Sequence, residues 1–184
     1  MDDSDEARFR GLYESYASAI LAYFRRRTDS ETAKDCTADT FLVAWRRLDD
    51  VPEQPLPWLY GVARRVLSNH RRSTGRMARL VDRLRRQPSE AAADPELVVI
   101  RRFEDSDLAE AMMRLRPEDR ELLFLSTWEE LPHGDIGTVL GCSSHAVDQR
   151  VYRAMHRLAR ELGRGGHRQG GTTISAMRSE GDVP

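Results

Sequence analysis

The sequence predicts an all-α fold in which two small helical domains are joined by a flexible linker. Apolar residues recur at helical spacing in several segments, and no segment shows the polar–apolar alternation that is typical of a strand. A linker-like stretch, PSEAAADP at residues 88–95, separates two helical blocks of the 184-residue chain. We therefore expect a first domain at residues 1–75, a linker at 76–104, a second domain at 105–162 and a disordered, glycine-rich tail at 163–184.

Three helices are predicted in the first domain. Helically spaced apolar residues from Phe9 to Phe24 predict the first, and Asp29-Ser30 ends it and offers a cap for the next. The second helix is expected from Thr32 to Leu48. Three prolines argue against regular structure from Asp49 to Pro57, because proline removes a backbone donor and restricts φ. The third helix is expected from Trp58 to about Arg72.

The second domain is predicted as a series of short helices. A helical block begins near Glu96 and ends at the break Leu115-Arg116-Pro117, where Pro117 suits the first turn of the next helix. That helix ends before Leu131-Pro132. Two further helices, Gly134–Leu140 and Ser144–Leu162, complete the domain.

Composition narrows the functional classes. The net charge of −1 argues against a protein that coats DNA, although local basic patches are present. No apolar run approaches the roughly 20 residues that span a bilayer, and the acidic start MDDSDEARF does not resemble a signal peptide. We expect a cytoplasmic protein without membrane insertion. Cys36 and Cys142 show no pairing pattern and are expected to be reduced thiols.

The stretch GDIGTVLGCSSHAVDQRV, residues 134–151, predicts a helix-turn-helix. At about 100° per residue, one side of its second helix is apolar and faces the first helix; it comprises Val147, Val151, Ala154 and Leu158. Polar residues on the other side can read base edges or reach phosphates. The candidates are Ser144, His145, Asp148, Gln149, Arg150, Tyr152 and Arg153. Spacing alone equally permits a helical hairpin with a solvated polar face.

Motifs on both sides of the linker resemble the sigma-70 family of RNA polymerase sigma factors, and most closely its extracytoplasmic-function (ECF) group. DCTADTFLVAWRRL, 35–48, is similar to the helix that docks on polymerase. PWLYGVARRVLSNHRR, 57–72, resembles the promoter-melting helix. LRPEDRELLFLSTWEELPHGDIGTVLGCS, 115–143, resembles the entry to the second DNA-binding domain, and 131–158 its helix-turn-helix. Two motifs in this order are far more specific than one helix-turn-helix.

The resemblance implies a non-enzymatic factor that binds core RNA polymerase through its β and β′ subunits and helps to open promoter DNA. The first domain then corresponds to sigma region 2 and the second to region 4, which reads the −35 element. Polymerase docking is expected at Asp35, Asp39 and Thr40. Contacts to the −10 element are expected from a basic ridge of Arg64, Arg65, Ser68, Asn69, Arg71 and Arg72. An anti-sigma factor is a further implied partner, the free chain is expected to be a monomer, and no cofactor or metal is expected.

Asp148 departs from the family pattern, because relatives often have lysine there. An acid does not favour phosphate, but it can accept a hydrogen bond from cytosine N4 in the major groove. Our hypothesis is that Asp148 tunes −35 specificity and lowers affinity for unrelated DNA.

The aromatic residues of the first domain admit two interpretations. Trp45, Trp58 and Tyr60 can stack on unpaired bases. At helical spacing beside leucine and valine, however, Trp45 and Trp58 are predicted to be core residues, while Tyr60 stays open.

Two alternative functions are also compatible with the sequence. A stand-alone helix-turn-helix regulator explains residues 131–160 but leaves the N-terminal motifs unused. A sigma-like decoy that binds polymerase without selecting promoters fits Asp148 and the near-neutral charge.

Overall fold

The computed structural model describes residues 3–85 and 106–169, and these residues confirm the all-α prediction. They form seven α-helices, one 3-10 helix at Leu48–Asp50 and no strand. The α-helices are α1 Asp3–Arg25, α2 Ser30–Arg46, α3 Pro55–Arg85, α4 Ser106–Arg114, α5 Pro117–Thr127, α6 His133–Leu140 and α7 Ser144–Gln169.

Helices α1, α2 and α3 pack on one another to form the first domain. Asp29 caps α2 as predicted, since its Oδ1 accepts hydrogen bonds from the backbone N–H groups of Glu31 and Thr32, both at 3.0 Å. These bonds, above all that from Thr32, lower the pKa of Asp29 to about 2. The fully buried Ile20, Phe24 and Leu59 contribute to the apolar centre of the domain.

Helices α4, α5 and α6 surround α7 in the second domain. Pro117 occupies the first turn of α5, which confirms the prediction for that residue. Gly141 ends α6 with a φ of 70°, a left-handed conformation that glycine adopts without a Cβ penalty. Its N–H bonds to the carbonyl of Gly137, so the chain reverses into α7 within a few residues.

Several predicted helix boundaries were wrong, most of all those of α3 and α7, and the segment 49–57 that was expected to be irregular ends within the first turn of α3. Helix α3 starts at Pro55 and continues to Arg85, instead of running from Trp58 to about Arg72. Residues 73–85 contain no proline but four arginines, two leucines and one methionine, which favour continuation of a helix. Helix α7 likewise continues past Gly163 to Gln169, because adding a residue to an existing helix requires no new nucleation. The segments 86–105 and 170–184, with the expected linker, the block near Glu96 and most of the tail, lie outside the described residues.

The two domains pack directly against each other. Helix α3 of the first domain contacts α6 of the second, and the buried apolar residues of both domains form one continuous core. At Gly61 on α3, an added Cβ would lie 4.0 Å from the carbonyl oxygen of Val139 on α6. The surfaces predicted to bind DNA are therefore positioned by this contact.

Candidate nucleic-acid interface

Helix α7 presents its predicted reading face to solvent. Val147 and Ala154 are fully buried, and Val151 and Leu158 are partly buried on the same side, which confirms the predicted orientation of the helix. Tyr152 is 66% exposed. Six of the predicted reading residues are exposed, namely Ser144, His145, Asp148, Gln149, Tyr152 and Arg153.

Several of these side chains contact one another within the exposed face. Gln149 Nε2 lies 3.0 Å from His145 Nε2, and Arg153 Nε donates to the Gln149 carbonyl at 3.1 Å. Arg150 differs from the others, because it is only half-exposed and its Nη1 approaches the sulfur of Cys142 at 3.8 Å. The contacts around Gln149 preorganise polar groups that remain accessible to a partner.

Asp148 has a partner that no sequence pattern predicted. Its Oδ1 contacts Nδ1 of His133, the first residue of α6. The two residues are 15 positions apart, so only the reversal at Gly141 brings them together. The imidazole can hold the Asp148 carboxylate in place.

The predicted basic ridge lies on α3, opposite the buried side of that helix. Five of its residues are exposed: Arg64, Arg65, Ser68, Asn69 and Arg72. Arg71 is half-buried, and its Nη2 donates to the carbonyl of Arg27 at 3.1 Å. The ridge is thus mostly accessible, with Arg71 also engaged in contacts inside the first domain.

A cavity of about 550 Å³ separates this ridge from the second domain. The ridge forms one wall, and Pro117, Glu118 and Glu121 at the start of α5 contribute to the other. In this compact form the arginines of the ridge therefore face carboxylates. The sequence pattern did not predict this arrangement, because it indicated two domains separated by a flexible linker.

An ionic cluster, here called the interdomain clasp, joins the domains. Arg27 Nε donates to Glu121 Oε2 and its Nη1 to Glu129 Oε1, both at 2.9 Å. Tyr23 donates its hydroxyl to Glu121 at 2.9 Å, and Arg26 Nε donates to Glu129 Oε1 at 3.2 Å. The clasp consists of Tyr23, Arg26, Arg27 and Tyr60 from the first domain and Glu121 and Glu129 from the second.

The clasp is deeply buried. Arg27 is 0% exposed, the Glu129 side chain is 1% exposed, and the Arg27 guanidinium lies 3.7 Å from the centre of the Tyr23 ring. Burial by itself lowers the pKa of Arg27, but Glu121 and other neighbours raise it above its usual value. Burial and Glu129 raise the pKa of Tyr60 to about 12. The cluster is therefore a charged arginine between carboxylates, flanked by neutral phenols.

The predicted docking face on α2 is only partly at the surface. Asp35 and Asp39 are exposed, but Thr40 is 0% exposed and donates its hydroxyl to the Cys36 carbonyl at 2.7 Å. Placing Thr40 on the polar surface was wrong, because it lies one turn after buried Cys36 on the core side. Burial, with a smaller contribution from Asp39, raises the pKa of the Cys36 thiol to about 11.

An open groove lined mainly by apolar side chains lies between α1 and α2, and Lys34 and Ala38, the sequence neighbours of Asp35 and Asp39, form part of its lining. Tyr13 and Leu42 are 47% and 44% exposed there, and the groove is also lined by Phe9, Phe41 and Trp45. Trp45 and Trp58 are partly buried against the core, which confirms the core prediction. Tyr60 is 3% exposed and lies within the clasp, so it is not available to bases in this form.

Residues 3–85 and 106–169 contain neither a metal-binding cluster nor a membrane-spanning helix. In these segments, no group of three or more His, Cys, Asp or Glu side chains is arranged to hold a metal ion. None of the helices described there combines the length and apolar character needed to cross a membrane.

Comparison with known proteins identifies both domains. Residues 12–77 match Sigma-70 region 2, and residues 105–158 match Sigma-70 region 4. The RNA polymerase sigma factor NccH of Alcaligenes xylosoxydans xylosoxydans is 30% identical over 160 residues, covering 84% of this chain and 86% of NccH. The ECF RNA polymerase sigma factor BldN of Streptomyces coelicolor is 28% identical over 158 residues, covering 84% of this chain but only 60% of BldN.

Solved structures agree on the fold. The sigma factor RpoE in complex with the anti-sigma factor NepR, from Bartonella quintana, has a TM-score of 0.61 at 21% identity, covering 84% of this chain and 96% of RpoE. CnrH, in complex with the cytosolic domain of CnrY, has a TM-score of 0.60 at 22% identity, covering 85% and 88%. With regions 2 and 4 both present in order, this chain belongs to the sigma-70 family of RNA polymerase sigma factors, in its ECF group, whose members direct transcription initiation.

Proposed function

We propose that this sigma factor selects promoters by reading the −35 element with α7 and contacting the −10 element with the α3 ridge, while core RNA polymerase holds the first domain. The observation that carries the proposal is the exposed polar face of α7, whose opposite side is buried by α4, α5 and α6. A helix in this setting fits the major groove and offers its N-terminal half to base edges.

Three exposed residues on α7 are the leading candidates for base contacts. The Gln149 amide can pair with adenine N6 and N7, and Arg153 can pair with guanine O6 and N7 or with a phosphate. His145 already contacts Gln149 and can exchange that contact for one with DNA. Ser144 and Tyr152 supply further hydroxyl groups, and Arg150 is placed for phosphate contact only if it leaves Cys142.

Asp148 is proposed to tune −35 specificity, with His133 as its positioning residue. The carboxylate can accept a hydrogen bond from cytosine N4. Contact with His133 restrains the carboxylate, so less rotamer freedom is lost when DNA binds. A carboxylate on the reading face also repels phosphates and reduces affinity for unrelated sequences.

The ridge on α3 is proposed to contact the −10 element. Arg64, Arg65 and Arg72 are exposed and can neutralise backbone phosphates. Ser68 and Asn69 add hydrogen-bonding groups on the same surface, and Arg71 extends it towards α1. The mixture of cations and neutral polar groups suits a backbone-tracking contact.

Docking on core polymerase, through its β and β′ subunits, is proposed for the α2 face around Asp35 and Asp39. Both acids are exposed, and their sequence neighbours Lys34 and Ala38 line the apolar groove. Acids beside an open apolar groove can combine charge complementarity with hydrophobic burial. Thr40 supports this face from within the domain and makes no direct contact.

We also infer an anti-sigma partner. RpoE was solved in complex with the anti-sigma factor NepR, and CnrH in complex with the cytosolic domain of CnrY. A protein that acts on RNA polymerase and the chromosome works in the cytoplasm, and this chain performs no covalent chemistry of its own. The free chain is proposed to be a monomer.

Reconstitution with core RNA polymerase tests the proposal. Promoter-specific transcripts from a library of genomic fragments, formed only when the protein is added, are expected. The double variant Gln149→Ala/Arg153→Ala should lose dependence on the −35 element. The matched double variant Glu110→Ala/Arg114→Ala, which removes an exposed ion pair on α4, should behave as the parent.

Two outcomes would replace the proposal by its alternatives. Tight, sequence-specific DNA binding without polymerase, and no initiation with it, would indicate a stand-alone regulator. Polymerase binding without initiation on any fragment would indicate a decoy.

A further inference from the structure

The cavity between the α3 ridge and the start of α5 carries an excess of positive charge. Four arginines line it from α3, namely Arg64, Arg65, Arg71 and Arg72. Two carboxylates, those of Glu118 and Glu121, line the opposite wall. Glu121 is already paired at 2.9 Å with Arg27, which does not line the cavity. The α3 wall therefore holds more cations than the carboxylates of the α5 wall can neutralise.

The α3 wall offers hydrogen-bond donors that suit phosphate. Arg64 and Arg65 are exposed, and within segments 3–85 and 106–169 neither side chain forms an ion pair or a hydrogen bond. Arg72 donates to the amide oxygen of Asn69, which leaves the Asn69 NH₂ group as a further donor near the Ser68 hydroxyl. A guanidinium group can bind phosphate through two parallel hydrogen bonds. This wall is therefore suited to a ligand with several phosphate oxygens.

The α5 wall suits the opposite kind of group. Glu118 lies in the first turn of α5 and is exposed, and its carboxylate forms no ion pair with any residue that the structure describes. An ionised carboxylate accepts hydrogen bonds and repels phosphate. A ligand that is anionic throughout would match the α3 wall but not the α5 wall. The two walls together select a molecule with phosphates at one end and N–H donors at the other.

Size and apolar lining narrow the choice to a nucleotide. The cavity volume of about 550 Å³ lies within the roughly 300–1,000 Å³ of small-molecule sites. Leu67 and Pro117 add apolar surface to the lining, which suits the face of a nucleobase. Guanine presents two adjacent N–H donors, at N1 and N2, which a single carboxylate can accept together. Adenine presents its N6 donor beside a ring acceptor, so it fits a carboxylate less well.

We propose that this cavity binds a guanine nucleoside diphosphate or triphosphate. Arg64 and Arg65 hold the phosphates, Ser68 and Asn69 donate to phosphate or sugar oxygens, and Glu118 accepts hydrogen bonds from guanine. Nucleotide binding goes beyond the proposed function, because it requires neither DNA nor polymerase. Its consequence rests on the proposed function: the nucleotide occupies arginines proposed for the −10 element, so nucleotide and promoter DNA compete for the ridge.

Isothermal titration calorimetry on the full chain, without DNA or polymerase, tests the site with GDP, ADP and inorganic pyrophosphate. GDP should bind more tightly than ADP, which lacks the paired donors for Glu118, and more tightly than pyrophosphate, which lacks a base. The titrations are run at about 0.15 M salt, where weak contacts between exposed charges are screened. Absence of GDP binding would overturn the site. Equal affinities for the three probes would overturn the recognition of guanine.

Two variants test the two walls separately. Arg64→Ala/Arg65→Ala should weaken the binding of GDP and of pyrophosphate alike, by at least about tenfold, the low end for a lost hydrogen bond to a charged group. Glu118→Gln should abolish the preference for GDP over ADP without weakening the binding of pyrophosphate. A merely structural role of Glu118 would lower the affinity for all three probes together, and that result would overturn its contact with the base.

Matched controls change exposed charges outside the cavity. Arg10→Ala/Arg114→Ala and Glu110→Gln should bind all three probes as the parent does, and circular dichroism must show parental helix content in every variant.

Competition with DNA is measured by fluorescence anisotropy with a short duplex of random sequence. The variant Gln149→Ala/Arg153→Ala is used, so that the α3 ridge makes the larger contribution to DNA binding. Saturating GDP should weaken its affinity for the duplex. Unchanged DNA affinity, with GDP binding intact, would overturn the shared use of the ridge. Failure of the parent to initiate with core polymerase would overturn the proposed function and leave the calorimetric result unaffected.

Discussion

The two surfaces of this sigma factor that we propose bind DNA carry similar side chains but differ in their surroundings. The polar face of α7 is open to solvent, and its side chains contact mainly one another. The basic ridge on α3 instead forms one wall of a cavity whose other wall carries Glu118 and Glu121. The difference does not come from the local sequence of either helix. It comes from the packing of α3 on α6 and from the interdomain clasp.

The largest effect is expected from Gly137→Ala, which should disrupt the polar face of α7 and leave the α3 ridge unchanged. A Cβ at Gly137 would lie 2.6 Å from the Cys142 carbonyl oxygen, so the turn between α6 and α7 has to move. We expect a loss of about 3 kcal/mol in unfolding free energy, typical of overpacking at a tight site. Chemical denaturation measures it, and −35-dependent initiation should disappear while polymerase binding persists.

Gly134→Ala is the matched control for that variant. It lies on the same helix with nothing within 4 Å of an added Cβ, and alanine favours the helix. Equal stability of the two variants would refute the steric argument.

Removing positive charge from the α3 ridge should weaken DNA binding by that surface. With Arg64→Ala/Arg65→Ala, promoter binding by the holoenzyme should weaken by on the order of tenfold, since one hydrogen bond to a charged group is worth about 1.5 kcal/mol at the low end. The slope of log K against log salt should become shallower by about 0.9 for each phosphate that the variant no longer neutralises. Filter binding over a salt series measures both.

Arg10→Ala/Arg114→Ala controls for the loss of two exposed arginines away from the ridge. If the slope of log K against log salt is the same in the ridge variant and the control variant, the ridge does not contact the −10 element.

A smaller change is expected at Asp148, where the α7 face carries an acid. Asp148→Lys should strengthen non-specific binding and change the preferred −35 base, with discrimination altered by about 1 kcal/mol, the low end for a good base contact. His133→Ala should leave non-specific binding nearly unchanged but reduce the discrimination between bases at the same −35 position. Selection of −35 sequences from a randomised promoter measures both effects. If both variants keep the −35 base preference of the parent, Asp148 is only a solvent-exposed residue beside the reading face.

The smallest effect concerns Asp29, which lies next to the clasp in sequence but acts locally. Asp29→Ala should reduce the unfolding free energy by about 1 kcal/mol through loss of the α2 cap, whereas Asp29→Asn should retain most of it. The folded-state pKa of about 2 is below the usual Asp value near 3.9. The stabilisation that the ionised Asp29 cap gives the folded state is therefore fully present above the usual pKa value, and it is lost as pH falls through about 2.

Denaturation at several pH values checks this prediction, with Asp29→Asn expected to lack that dependence. The radius of gyration should not change in either variant, because the cap lies outside the clasp. Expansion on Asp29→Ala would mean that local and interdomain stability are coupled.

Much of the fold could be predicted from the sequence, because it depends on interactions between residues that are close along the chain. Helical spacing located the helices, Asp29 and Pro117 marked two helix starts, and the phase of Val147 and Ala154 identified the outward face of α7. Each of these depends on neighbours within a turn or two. Predictions were weaker for residues at the border between the buried and the exposed side of a helix. Thr40 is an example, because a shift of one position moves a residue there from the surface to the core.

The sequence by itself determined an all-α chain, since periodicity and capping depend on near neighbours, and its motifs carried the resemblance to sigma regions 2 and 4. Only the tertiary structure decided that the domains close on each other, that Arg27 is buried between Glu121 and Glu129, and that His133 meets Asp148. Arg27 follows two other arginines and reads locally as one more exposed cation. Its burial depends on carboxylates roughly a hundred residues away, and pairing over that separation follows from how helices pack rather than from how each one forms.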